Sequence, residues 1–186
     1  MSAEVATYRF SVEEFNKLGE AGIFDEGDRV ELLDGEIIVM SPIGRDHAGI
    51  VLRLNAVLNQ RLGPRALVNP QNPAVLDDYS EPLPDFTLLK PKRDFYTSGH
   101  PRPADILLLI EVSDTTLAYD RGRKLRKYAE REIREVWIVN VKERVIEQFR
   151  EPEGASYSFS RVHRRGEWIS IEAFPDVEFE IQELIG

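Results

Sequence analysis

Two acids fall where a carboxylate is costly to keep. Asp85 follows Leu83-Pro84 and opens the segment FTLL, and Glu111 sits inside the apolar run ILLLIEV. A run of that kind builds a strand buried on both faces. A lone carboxylate there needs a cation or hydrogen bonds to offset its lost hydration. If the two segments pair as strands, the acids converge at one edge of a sheet. Two carboxylate oxygens and the backbone carbonyl of Val112 then make a hard oxygen site, of the kind Mg2+ or Mn2+ prefers. The chemistry of such a site is metal-assisted hydrolysis. The plainer alternatives are that Asp85 caps the turn after Pro84 and that Glu111 pairs with an arginine.

The stretch Asp120-Arg121-Gly122-Arg123-Lys124-Leu125-Arg126-Lys127-Tyr128 places several cations just beyond Glu111. On a helix, Lys124 and Tyr128 lie one turn apart and share a side. A lysine reaching from that helix to the strand end would orient or activate water and steady a developing phosphate charge. The alternative is a solvated basic face balanced by Glu130 and Glu132. Other catalytic signatures are missing: no G-x-x-x-x-G-K-[ST], G-x-S-x-G, H-E-x-x-H or G-x-G-x-x-G occurs.

The elements that must position these groups can be read from periodicity. Ser11 with Glu14 forms a capping-box pattern and predicts a helix over 12–20. Asp34-Gly35 between VELL and EIIV predicts a β-hairpin over 29–40. Ile50, Leu54, Val57, Leu58 and Leu62 recur at helical spacing over 46–62, and Gly63-Pro64 ends that helix. Short extended pieces are expected at 66–69, 74–76 and 85–89. A long polar loop over 90–103 follows. The buried strand 105–112, a helix over 119–131 and a second buried strand at 135–141 make a βαβ unit. The tail over 144–186 alternates and should add hairpin strands at one edge. The expectation is an α/β fold: a mixed β-sheet core flanked by helices, with an N-terminal helix and hairpin and C-terminal edge strands, in one domain over 1–186.

Bulk composition narrows the setting. Hydrophobic residues at 42% and charged residues at 31% suit a globular chain. The formal net charge of -9 argues against a surface coated in lysine and arginine for nucleic acid, although a basic stripe can lie on an acidic protein. The absence of cysteine excludes disulfides and thiolate zinc sites. The opening MSAEVATYRFSVEEF lacks the basic and apolar regions of a secretion signal, and no apolar run is long enough for a membrane span. A cytoplasmic protein with no membrane partner is expected.

These residues together resemble a family. Pro84-Asp85, Ile110-Glu111-Val112-Ser113-Asp114, Asp120-Arg121 with Lys124 and Tyr128, and Val136-Trp137-Ile138-Val139 are similar to the bacterial putative restriction endonucleases of the PD-(D/E)XK nuclease superfamily. Glu31-Leu32-Leu33-Asp34-Gly35-Glu36-Ile37 and Ser41-Pro42 with His47 match the N-terminal half, so the resemblance runs over about residues 8 to 175. It implies a restriction-endonuclease-like fold and Mg2+- or Mn2+-dependent hydrolysis of DNA phosphodiesters. Asp85 and Glu111 match the motif acids and, with Val112, the metal ligands. Ser113 stands where a lysine is usual, and the resemblance offers Lys124 in its place. Glu31 matches an early acid, a further ligand or a water-orienting group. His47, Arg121, Lys127, Tyr128 and Ser113 are candidate substrate contacts, with the loop over 90–102 adding backbone contacts. A homodimer is expected by analogy. The competing reading is a catalytically inactive nuclease-like fold that binds DNA or protein.

Overall fold

Ser11 begins the first helix as its pattern predicts. In the computed structural model, which describes residues 6–25 and 27–186, Ser11 and Glu14 cap each other reciprocally ahead of α1 (Val12–Glu20). Asp34 and Gly35 take φ values of 53° and 77°. A two-residue turn of that hand matches the twist of the strands it joins, and it links β1 (Val30–Leu33) to β2 (Glu36–Val39). Helix α2 (Arg45–Leu62) buries Ile50, Leu54, Leu58 and Leu62 on one stripe.

The main sheet has six strands in the order β3-β4-β5-β6-β7-β8. They are β3 (Leu67–Pro70), β4 (Phe86–Leu89), β5 (Ile106–Ser113), β6 (Glu135–Asn140), β7 (Val145–Glu153) and β8 (Ser156–His163). Only β5 and β6 run parallel; the other neighbours are antiparallel. The parallel pair is joined by a helical crossover: α3 (Leu117–Tyr119), a π-helical turn (Asp120–Lys124) and α4 (Leu125–Glu130).

Strand parity sets which residues meet. Phe86, Leu88, Leu108, Ile110 and Val112 face the core under α2. Leu89, Ile106, Leu109, Val136 and Ile138 face the other core, against Tyr128 and Ile133. Phe86 pairs with Ile110, so the next pair along is Asp85 and Glu111, turned toward the crossover helix.

Three expectations need correction. Residues 74–76 form no strand; Ala74, Val75 and Leu76 donate to Pro82, Pro101 and Ser80, three separate backbone partners. The crossover helix starts at Leu117 and is interrupted by the π turn. In the tail, β7 and β8 do lie at one sheet edge, but β9 (Trp168–Ile171) and β10 (Phe174–Glu180) form their own two-stranded sheet. With α5 (Ile181–Ile185), that sheet supplies apolar residues to the core under α2. Among the described residues, no helix is long and apolar enough to cross a membrane.

Candidate active site

The ends of β4 and β5, the crossover helix, β1 and the start of α2 enclose a cleft of about 280 Å3. Glu31, His47, Asp85, Glu111, Asp120 and Lys124 all line it. Asp85 is 7% exposed and Glu111 3%. The Val112 N–H donates to Asp85 Oδ2 at 2.8 Å, and His47 Nε2 lies 3.0 Å from Asp85 Oδ1. Lys124 Nζ contacts Glu111 Oε1 at 2.7 Å and Glu31 Oε2 at 3.2 Å. Tyr128 donates its hydroxyl proton to the same Glu111 oxygen. Glu31 also accepts from the Leu83 N–H at 3.0 Å and the Tyr119 hydroxyl at 3.1 Å.

The π turn helps to explain how a lysine comes to be buried here. Its wider backbone loop breaks the regular helical phase where Asp120 and Lys124 meet the strand ends, and such turns gather at functional sites. Lys124 is 1% exposed. Burial disfavours its charge, but Glu111, Tyr128, Glu31 and Asp120 outweigh that and hold the ammonium well above its ordinary pKa.

The acids respond to the same crowding. Burial pushes the Glu111 carboxyl up to about 8; Lys124 opposes this, while Asp120, Asp85 and Glu31 add to it. Asp120 is raised chiefly by burial. Burial also acts to raise Asp85, but His47, the Val112 N–H and Lys124 together bring it below the usual range. Four carboxylates thus surround one ammonium, and the cluster is short of positive charge.

That deficit is the test of fit for a divalent ion. Among the described residues, no hydrogen bond reaches the second oxygen of Glu111 or of Asp120. Among the same residues, no three His, Cys, Asp or Glu side chains converge as a ready-made cage. Asp85 and Glu111, the acids expected as ligands, both line the cleft, with Val112 beside them. Two carboxylates suit Mg2+, which keeps most of its waters and takes the rest of its shell from substrate phosphate.

Of the residues singled out from the sequence, Asp85, Glu111, Val112, Lys124, Glu31 and His47 come together in the cleft. Tyr128 is buried behind Glu111 and donates its hydroxyl hydrogen bond to it. Ser113 is fully buried, and its hydroxyl donates to Asp120 at 2.7 Å. Arg121 and Lys127, expected as substrate contacts, do not line the cleft. Arg121 is paired with Glu147. Lys127 is 5% exposed and held among Asp34, Asp77 and Glu130. Asp120, which no expectation above singles out, accepts from Ser113 and from Thr116 at 2.6 Å and lines the cleft. Its signal was present: Asp120, Lys124 and Tyr128 recur every four residues.

A six-stranded mixed sheet flanked by helices, with paired acids at adjoining strand ends, defines a nuclease-like α/β protein. The chain belongs to the family Uma2, described as "Putative restriction endonuclease", whose model matches residues 12–182. The fold is similar to the crystal structure of a putative nuclease belonging to DUF820 from Anabaena variabilis. The TM-score is 0.70 at 16% identity, over 95% of this chain and 97% of that one. No curated protein matches the chain at a significant level.

Proposed function

We propose that the protein is a divalent-cation-dependent nuclease that hydrolyses DNA phosphodiester bonds over Asp85 and Glu111. The observation that carries this reading is the placement of both buried acids on one face of neighbouring strands, in a single cleft, with Lys124 against Glu111. Asp85 and Glu111 would hold Mg2+ or Mn2+, with Val112 beside them. When bound, the ion polarises a phosphate oxygen and lowers the pKa of its water. Lys124 acts by charge: as a firmly protonated ammonium it donates hydrogen bonds to water or phosphate and takes no proton. Glu31 and Tyr119 hold that ammonium in place from the other side, and Tyr128 fixes the Glu111 carboxylate.

The test is nicking of plasmid DNA in Mg2+, Mn2+ or EDTA by the native protein and by Asp85→Asn and Glu111→Gln. Cleavage is expected only with the ion, and each substitution should slow it by at least about 100-fold. A native protein that cuts nothing with any divalent ion, or variants as active as the native chain, would remove the enzyme reading and favour a binding module.

A further inference from the structure

The floor of the cleft is acidic, but one wall is not. The chain from the end of β2 to the start of α2 lines it with Ile38, Val39, Met40, Pro42 and Ile43. Val39 is 77% exposed and Ile43 42%. A sugar–phosphate backbone is held by cations and N–H donors and gains nothing from such a surface. The flat face of a base does gain from it, because stacking on apolar and aromatic groups is indifferent to sequence. On the helical side the half-buried Tyr119 adds an aromatic ring to the lining, and Met40 adds a polarisable thioether.

Cations are scarce where a duplex would need them. Among the described residues, Arg29 and Lys124 are the lysines and arginines that line the cleft. The neighbouring Arg121, Arg123 and Lys127 are each paired with acids of the same chain. A protein that tracks a duplex neutralises on the order of 6–10 phosphates.

We propose that the cleft takes DNA as an unpaired strand, with one base laid against the Val39–Ile43 wall while the adjoining phosphate meets the acids. This rests on the nuclease reading and narrows its substrate to single-stranded, frayed or bubble-containing DNA.

The test uses fluorescein-labelled oligonucleotides of one sequence, presented as a single strand, a blunt duplex and a duplex with an internal bubble. Cleavage is followed in Mn2+ and binding by anisotropy in Ca2+, for the native chain, Val39→Asp and Ile43→Asp. Both substituted positions are exposed, and circular dichroism checks that the variants fold. Single strand and bubble should be bound and cut at least about tenfold better than blunt duplex, and either aspartate should remove about tenfold of the single-strand affinity. Equal or better use of the blunt duplex, or variants that bind the single strand as well as the native chain, overturns this inference and leaves the nuclease reading intact. Absence of all cleavage removes the nuclease reading, and the binding ratios then decide the strand preference on their own.

Discussion

Replacing Lys124 with methionine keeps most of the side-chain volume and deletes the charge between Glu31 and Glu111. Its Nζ lies 3.2 Å from one carboxylate and 2.7 Å from the other, and all three side chains are almost fully buried. Removing one partner from such a group leaves uncompensated buried charge and costs about 3–5 kcal/mol. In a chain of this size each kcal/mol moves the melting temperature by roughly 2–4 °C. The expected drop in EDTA is therefore roughly 6–20 °C. The loss has a definite pH dependence. Glu111 is pushed from its ordinary 4.5 up to about 8 in the folded protein. Between those values the folded state binds more protons than the unfolded one, so the carboxylate's destabilising effect is absent at low pH and sets in as pH rises. Lys124 opposes that rise, and its loss drives the Glu111 pKa higher still. The deficit of Lys124→Met should thus be larger at pH 8 than at pH 6. Glu111→Gln on top of it should recover part of the loss. Saturating Mg2+ should also restore stability, by about 2.7 kcal/mol at a hundredfold excess over Kd. Thermal unfolding followed by circular dichroism measures all of this. A drop of less than about 2 °C at both pH values would refute the reasoning.

Two further substitutions probe the scaffold. Gly35→Ala should cost more than about 1 kcal/mol in urea unfolding. Its φ of 77° resists a side chain, and the new Cβ would fall 2.6 Å from Arg9 Cβ; a loss below about 0.5 kcal/mol would contradict that geometry. His163 is buried, its Nε2 meets Gln148 Oε1 at 2.9 Å, and among the described residues no hydrogen-bond partner is found for Nδ1. Burial, aided by Arg161, holds its pKa below the ordinary 6.5. A depressed folded pKa gives stability that is complete above 6.5 and lost as pH falls below it. The stability gap between the native chain and His163→Gln should therefore narrow from pH 7 to pH 5; a gap that stays constant or widens would show that the imidazole does not resist protonation.

Local chemistry was legible wherever neighbours in sequence decide it. The Ser11/Glu14 cap gave α1 its bounds, and Asp34-Gly35 gave the hairpin its turn. The apolar run at Ile106–Ser113 identified the central strand, and through it the burial of Glu111. What escaped depends on distant partners. The approach of Lys124 to Glu111 was foreseen, but nothing within 119–131 announces the π turn or the second partner, Glu31. Arg121 and Lys127 looked like free cations because Glu147, Asp34 and Asp77 lie far away in sequence. The β9–β10 pair has the same alternation as β7 and β8, and periodicity does not say which sheet a strand joins.

Lys124 also fastens the small N-terminal hairpin to the central strand, since Glu31 belongs to β1 and Glu111 to β5. On the proposed nuclease reading, shape and chemistry share a single nitrogen atom. Descendants of such a nuclease that abandon cutting can discard Glu111 by trading it for a neutral amide, while discarding the lysine would loosen the hairpin's hold on the central strand. Decayed copies that still fold should therefore be found with the acid gone and the ammonium still in place.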